Sequence, residues 1–315
     1  MIKERIYQPT AGELNIWLEN NFSLFGISDP SKQEVVKMKY RSESNNIWTI
    51  ELYDNLHKIG HASLIKQKMY LNNSLILIGF MTSVYVYPEY RGQKMLIRLI
   101  SAVEKTSQNL QLAGIIVIAR RQVKDMYYKF GYKGFGIFPE IILPKPYNQS
   151  IESGNQCSDF NLMDAIQAYI FTYKCLDGTI VRNEEYWNGI KKAIELEIYN
   201  FLGVKENDRY IYRISKDGKV LEAAGNLELL PKLLGKTRER SFKITHDHPF
   251  FGFLSTIGGV YKVRPEPKEG HLIKILSKEN VLLNYLNRLV LDDQFNPTND
   301  KTKKKTLNII ELNEW

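Results

Sequence analysis

The stretch that most constrains this chain is Ser83-Val84-Tyr85-Val86-Tyr87-Pro88-Glu89-Tyr90-Arg91-Gly92-Gln93-Lys94-Met95-Leu96. Alternating apolar residues end at a proline, and an arginine–glycine step follows. A stripe of Met95, Leu96, Leu99, Ile100 and Val103 at helical spacing then begins at once. A strand over Leu75 to Tyr87 must therefore turn directly into a helix running from Gly92 toward Leu110. That arrangement aims unpaired helix N–H groups and a positive dipole end at the space beyond the strand, where they suit phosphate. A pyrophosphate-bearing cofactor is the first expectation.

The surrounding pattern is α/β. Leu14, Trp17, Leu18 and Phe22 place a helix over Ala11 to Phe22, with Thr10 as its cap. Ile47 to Tyr53 and Lys58 to Lys66 flank Asp54-Asn55-Leu56-His57 as a hairpin. Gly114 to Ala119 is a buried strand, Asp125 to Phe130 a short helix ended by Gly131, and Gly134 to Leu143 a further strand. Composition then shifts: Pro144 to Ser158 is rich in Pro, Ser, Asn and Gln and reads as a connector. The expected division is a first domain over 1–145, a linker over 146–158 and a second domain with a C-terminal tail over 159–315. The second part carries helical stripes at Leu162 to Tyr173 and Glu185 to Leu202, and a hairpin from Tyr210 to Ala224 around Lys216-Asp217-Gly218. Helices near Leu227 to Leu234 and Pro249 to Ile257 follow, with strands near Ser241, Val260 and Leu272. This order resembles the first part but lacks a counterpart of Pro88-Glu89-Tyr90-Arg91-Gly92.

Charge and cysteine content narrow the function classes. Lys and Arg number 43 against 35 Asp and Glu, a net charge of +8, which suits an anionic ligand. The basic residues are dispersed without aromatic interleaving, so nucleic acid is disfavoured, and Lys301 to Lys305 reads as a solvated run. Two cysteines make neither a disulfide framework nor a zinc site, which fits a reducing, cytoplasmic setting. No signal core or membrane span is expected. His246-Asp247-His248 reads as a polar turn and not as a metal pair, because no further ligands sit at recognisable spacing. Gly131, Gly134 and Gly136 follow a helix and precede a strand, the reverse of a dinucleotide-binding order.

Val84, Val86, Pro88, Tyr90, Arg91 and Gly92, followed by Met126-Tyr127-Tyr128-Lys129-Phe130-Gly131-Tyr132, together resemble the GNAT superfamily of acyl-CoA-dependent N-acyltransferases. The resemblance covers residues 1 to 145. It implies a GNAT fold, a mixed central sheet flanked by helices, with acetyl-CoA as cosubstrate and no metal. Val84, Tyr85 and Val86 would bond the pantetheine arm like an added strand. Arg91, Gly92, Gln93, Lys94, Met95 and Leu96 would wrap the pyrophosphate. Tyr127 falls where the family places the acid that protonates the departing thiolate, with Tyr128 the alternative if the register shifts by one. Apart from the resemblance, Tyr127 reads as a helix aromatic packed on the sheet. Two positions depart from the pattern. Lys94 stands where the family usually has glycine, and Leu96 where glycine or alanine is common.

The two-part order resembles tandem acetyltransferases of the bacterial Eis type, with a degenerate GNAT-like second domain. There Thr179 to Trp187 matches an Arg-x-x-x-x-Trp helix entry at Arg182 and Trp187. The sequence leaves Glu51, His61 and Glu140 open as general bases, each also readable as an ordinary strand residue, with free solvent carrying the proton away as an equal alternative. The acceptor, a small amine or a peptide amine, is equally open, as is a homo-oligomeric state. The expected activity is acetyl transfer to a primary amine. Its alternative is a non-catalytic acyl-CoA-binding or regulatory protein in which Lys94 marks a decayed site.

Overall fold

The computed structural model describes residues 2–42, 44–71, 73–120, 126–132, 137–147, 157–265 and 269–276. These fall into two compact units. The first holds the residues up to 132, apart from the tip 70–74, together with 269–276; the second holds that tip and 137–265.

In the first unit, β1 (Ile2–Tyr7) leads to α1 (Ala11–Phe25). Thr10 opens α1 with a capping box: its Oγ1 accepts from Glu13 N–H at 3.3 Å, and its own N–H donates to Glu13 Oε2 at 2.9 Å. Gly26, at φ 68°, closes it. The helix α2 (Pro30–Ser42) follows. The strands β2 (Ile47–Asp54), β3 (His57–Leu71) and β4 (Ser74–Val86) form successive hairpins, α3 (Met95–Asn109) follows, and β5 (Gly114–Arg120) returns parallel to β4. Period-two alternation splits β2 and β3 into two faces. Ile50, Leu52, Ala62 and Leu64 pack with Leu99, Ile100 and Val103 of α3 in one core. Thr49, Glu51, His61 and Ser63 point to the opposite face, where His61 meets Asn21 and Trp17 of α1.

Two strands lie elsewhere than the sequence order suggested. β6 (Ile137–Ile142), expected within 1–145 as part of the first sheet, pairs instead with β11 (Ser241–Phe242) and β12 (Val260–Pro265) in the second. The free edge of β5 is taken by β13 (Glu269–Ile275), antiparallel from Gly114–Ile275 to Arg120–Glu269. Gly114 permits this approach, since a Cβ there would stand 2.7 Å from Lys274 O. The sheets therefore cross the boundary drawn at 145, and the first runs β1-β2-β3-β4-β5-β13. An apolar pattern identifies a strand without identifying its neighbour, which is why the exchange was not legible.

The second sheet runs β12-β6-β11-β10-β9-β8-β7, adding β7 (Cys157–Ser158), β8 (Asn200–Glu206), β9 (Arg209–Lys216) and β10 (Lys219–Gly225). As in the first, an antiparallel run ends in one parallel pair, here β10–β11, and then returns antiparallel. This is a second GNAT-like sheet. It carries α4 (Leu162–Tyr173), α5 (Glu184–Glu195), α6 (Leu230–Gly235) and α7 (Phe251–Thr256). The helix expected through Leu202 stops at Glu195. Glu197 takes φ 57°, the N–H groups of Ile198 and Tyr199 fold back to Ala193 O, and 200–206 becomes strand.

Arg182 and Trp187 have a structural reason to recur together. The Arg182 guanidinium is buried, forms a bidentate pair with Glu222 (3.0 and 2.6 Å), and lies 4.1 Å from the Tyr169 ring centroid and 5.0 Å from that of Trp187. Tyr212 OH donates to Glu222 Oε1 at 2.7 Å, completing the carboxylate's partners. His248, half of the apparent metal pair, is buried with Nε2 3.3 Å from Tyr173 OH, and its Nδ1 accepts from Phe250 N–H at 3.1 Å.

Candidate active site

The first unit's sheet opens where the sequence placed cofactor contacts. The β4–β5 ladder runs from Gly79–Ile115 to Met81–Val117, and among the described residues it goes no further, although β4 continues to Val86 and β5 to Arg120. Ser83 takes φ 52° within β4. A left-handed residue in a strand is a bulge-type kink that ends pairing and bends the strand away. Val84, Tyr85 and Val86 lie just past it. Their opposite side stays close to β3: Tyr87 N–H donates to Ile59 O at 3.0 Å, and Gly60 leaves room for Tyr85 O, which a Cβ would approach to 2.9 Å.

The turn after β4 is pinned to the strand end. Arg91 Nε donates to Val86 O at 3.0 Å, and its guanidinium lies 5.6 Å from the Tyr85 ring centroid. Gln93 Nε2 donates to Glu89 O at 3.0 Å. Gly92 and Lys94 both adopt positive φ, 78° and 63°. The position where the family usually has glycine is thus one that demands a left-handed backbone, and Lys94 adopts it despite its Cβ. The ladder of α3 begins with Arg98 N–H to Lys94 O at 3.2 Å, so the N–H groups of Met95, Leu96 and Ile97 precede it. Residues 91–94 are exposed, while Met95 and Leu96 are half-buried against the core that contains Val86 and Tyr127.

Tyr127 sits in a helical turn over 126–129 that Gly131 ends at φ 81°; Asp125 lies outside the described residues. Its side chain is 4% exposed and meets the Tyr132 ring edge-on at 5.6 Å. Burial pushes its phenol up to about 12, so it stays protonated at neutral pH. Among the described residues its hydroxyl makes no hydrogen bond. Tyr128, one residue on, is 40% exposed.

The three candidate bases separate. Glu140 belongs to β6 in the second sheet, where Ser241 Oγ donates to it at 2.8 Å. Glu51 is buried in the first sheet but already accepts from Tyr53 OH at 2.8 Å and from Lys58 Nζ at 3.2 Å. His61 is buried, with Nε2 2.9 Å from Asn21 Oδ1, whose amide nitrogen donates to Trp17 O at 2.8 Å. That bond fixes the proton on Nε2 and leaves Nδ1 as a buried lone pair without a partner. Burial first, then the Lys58 charge, lowers His61 to about 4, so the ring is neutral. Neither the kink at Ser83 nor the His61–Asn21 pair was legible, since neither has a motif. The helix α2 was missed as well, although Asp29-Pro30 marks its start: Asp29 Oδ1 accepts from Ser31 N–H at 2.9 Å.

Comparison with known proteins bears on the fold that carries these residues. Residues 5–135 match the family model of the acetyltransferase (GNAT) domain. No functionally curated protein matches the chain. A probable N-acyltransferase of unknown function from Enterococcus faecalis is similar over 87% of this chain and 73% of its own, at 12% identity and TM-score 0.64. A GCN5-related N-acetyltransferase from Anabaena variabilis is similar over 87% and 73%, at 14% identity and TM-score 0.63. Eis1 from Mycobacterium abscessus is similar over 89% and 74%, at 13% identity and TM-score 0.61. At such identities the likeness speaks to fold. Among the described residues no helix is long and apolar enough to cross a membrane. With the family model matching residues 5–135 and a second sheet of GNAT-like strand order in the second unit, the chain has a tandem GNAT fold whose residues 5–135 carry the acetyltransferase (GNAT) domain.

Proposed function

We propose that the first unit transfers an acetyl group from acetyl-CoA to a primary amine by direct attack. The observation that carries this reading is the early end of the β4–β5 ladder at Met81–Val117, beside a helix start at Lys94 whose N–H groups are unspent. The amide-rich pantetheine arm bonds the backbone of Val84, Tyr85 and Val86 as an added strand, and its pyrophosphate lies on the turn from Arg91 to Leu96. Arg91 acts chiefly through its hold on Val86 O, which fixes that turn. Lys94 brings a cation to the phosphates.

The amine nitrogen attacks the thioester carbonyl carbon, forming the C–N bond. Collapse of the tetrahedral intermediate breaks the C–S bond, and Tyr127 gives its phenolic proton to the departing thiolate. The proton lost by nitrogen passes to solvent, which also restores Tyr127. A phenol held near 12 remains an acid throughout the neutral range and retrieves its proton readily. The second unit lacks the Arg-Gly turn and serves as scaffold and not as a second catalytic centre. The reaction is tested by calorimetric titration with acetyl-CoA together with thiol release in the presence of primary amines. Saturable binding with amine-dependent thiol release is expected. Binding without thiol release under any amine would replace this reading with the acyl-CoA-binding alternative, and no binding would remove both.

A further inference from the structure

The face of the first sheet under α1 and α2 carries a continuous run of rings that ends at the open part of β4. Tyr40 meets Trp17 at 5.4 Å between centroids, Trp17 meets His61 at 6.1 Å, and His61 stacks on Tyr85 at 5.9 Å. Tyr85 in turn meets Phe25 at 6.1 Å and Tyr87 at 5.3 Å. The inner rings are buried, whereas Phe25, Tyr85 and Tyr87 are half-buried. Tyr40 OH reaches the kink itself, 3.4 Å from Thr82 Oγ1 and 3.3 Å from Ser83 Oγ. Two hydrogen-bonding atoms inside this layer are buried without a partner, Trp17 Nε1 as a donor and His61 Nδ1 as an acceptor. Both atoms lie behind the half-buried rings of Phe25, Tyr85 and Tyr87, which are the part of the layer that another molecule can touch.

The charges around the layer are the wrong sign for a polycation. Glu51, the buried carboxylate on this face, is held by Tyr53 and Lys58, with Arg5 at 4.0 Å. Glu19 of α1 pairs with Lys37 of α2 at 3.7 Å. Arg91 already lies over Tyr85, and Lys37 of α2 lies 5.9 Å from the Phe22 ring centroid. A polyamine or aminoglycoside would bring several positive charges to a face whose buried carboxylate, Glu51, is already paired with two cations. A single amine on an apolar body brings one, which leaves as the neutral amide forms.

We infer that the acceptor is a primary amine on an aromatic body, received by the half-buried rings of Phe25, Tyr85 and Tyr87 beside the kink at Ser83, and not a polycation. This rests on the N-acetyltransferase reading of the same site, and its test separates the two. The full chain saturated with CoA is titrated calorimetrically with 2-phenylethylamine and with spermidine. Phenylethylamine is expected to bind about tenfold tighter, the scale of one or two aromatic contacts. Phe25→Ala should weaken phenylethylamine about fivefold, Phe25→Tyr should restore it, and neither should move acetyl-CoA affinity. Tighter binding of spermidine, no binding of phenylethylamine, or indifference of the Kd to Phe25→Ala each overturns the inference. Thiol release with the same amines reads the other question. Release confined to spermidine overturns the acceptor class and leaves acetyl transfer standing, whereas Phe25-dependent binding without release keeps the amine site and removes the transfer.

Discussion

Lys94 offers the sharpest contrast between a working site and a decayed one. It holds φ 63° and ψ 14° at the start of α3, is exposed, and stands where glycine would relieve the backbone. A left-handed non-glycine residue costs about 1–2 kcal/mol. Glycine's greater freedom in the unfolded chain returns about 0.5–1 kcal/mol of that, so Lys94→Gly should change folding stability by no more than about 1.5 kcal/mol. Binding is a separate quantity. A lysine charge about 4 Å from a phosphate is worth ~1 kcal/mol in a fully hydrated turn, or about fivefold in Kd. Lys94→Ala and Lys94→Gly both lose that charge, so both should weaken acetyl-CoA about fivefold at low salt. At 1 M salt, where the screening length is about 3 Å, both should converge on the wild type. Calorimetry across a salt series reads this directly. If Lys94→Gly binds acetyl-CoA tighter than the wild type, the lysine obstructs the phosphates and the reasoning fails.

Two further outcomes follow from buried groups. Truncating either side of the Arg182–Glu222 pair leaves a buried charge alone and should cost ~3–5 kcal/mol in urea unfolding, whereas Arg182→Met combined with Glu222→Leu should recover most of the loss. His61 is neutral in the folded protein at about 4 but titrates near 6.5 when unfolded, so the unfolded chain takes up the proton first. Its contribution is complete above 6.5 and is lost as pH falls toward 4, a change on the order of 3 kcal/mol. His61→Phe should therefore flatten the decline in stability between pH 7 and pH 4.5; an unchanged slope would show that His61 is not buried neutral.

What the sequence made legible was local. Val84 to Leu96 announces a strand, turn and helix through period change, proline and glycine, and the structure follows it within a few residues. Thr10 and Glu13 announce a cap, and Lys216-Asp217-Gly218 a hairpin, for the same reason: each acts on its own neighbours. The rest depends on partners far along the chain. β6 and β13 both read as strands, but which edge each joins is set by close approaches such as Gly114 to Lys274 O, which leave no periodic mark. The kink at Ser83 is a left-handed serine in an otherwise ordinary strand, and His61 becomes distinctive only when Asn21 and Trp17 fold over it.

The central claim is that Tyr127 protonates the thiolate leaving an acetyl-CoA held along β4. It is tested most directly by single-turnover thiol release from acetyl-CoA and a saturating amine, comparing wild type with Tyr127→Phe. Phenylalanine keeps the ring and its contact with Tyr132 while removing the proton, so acetyl-CoA affinity should be unchanged. The release rate should fall by about 10²–10⁴-fold. An unaltered rate at unaltered affinity would contradict the account, leaving Tyr127 as a packed aromatic and the proton to another donor.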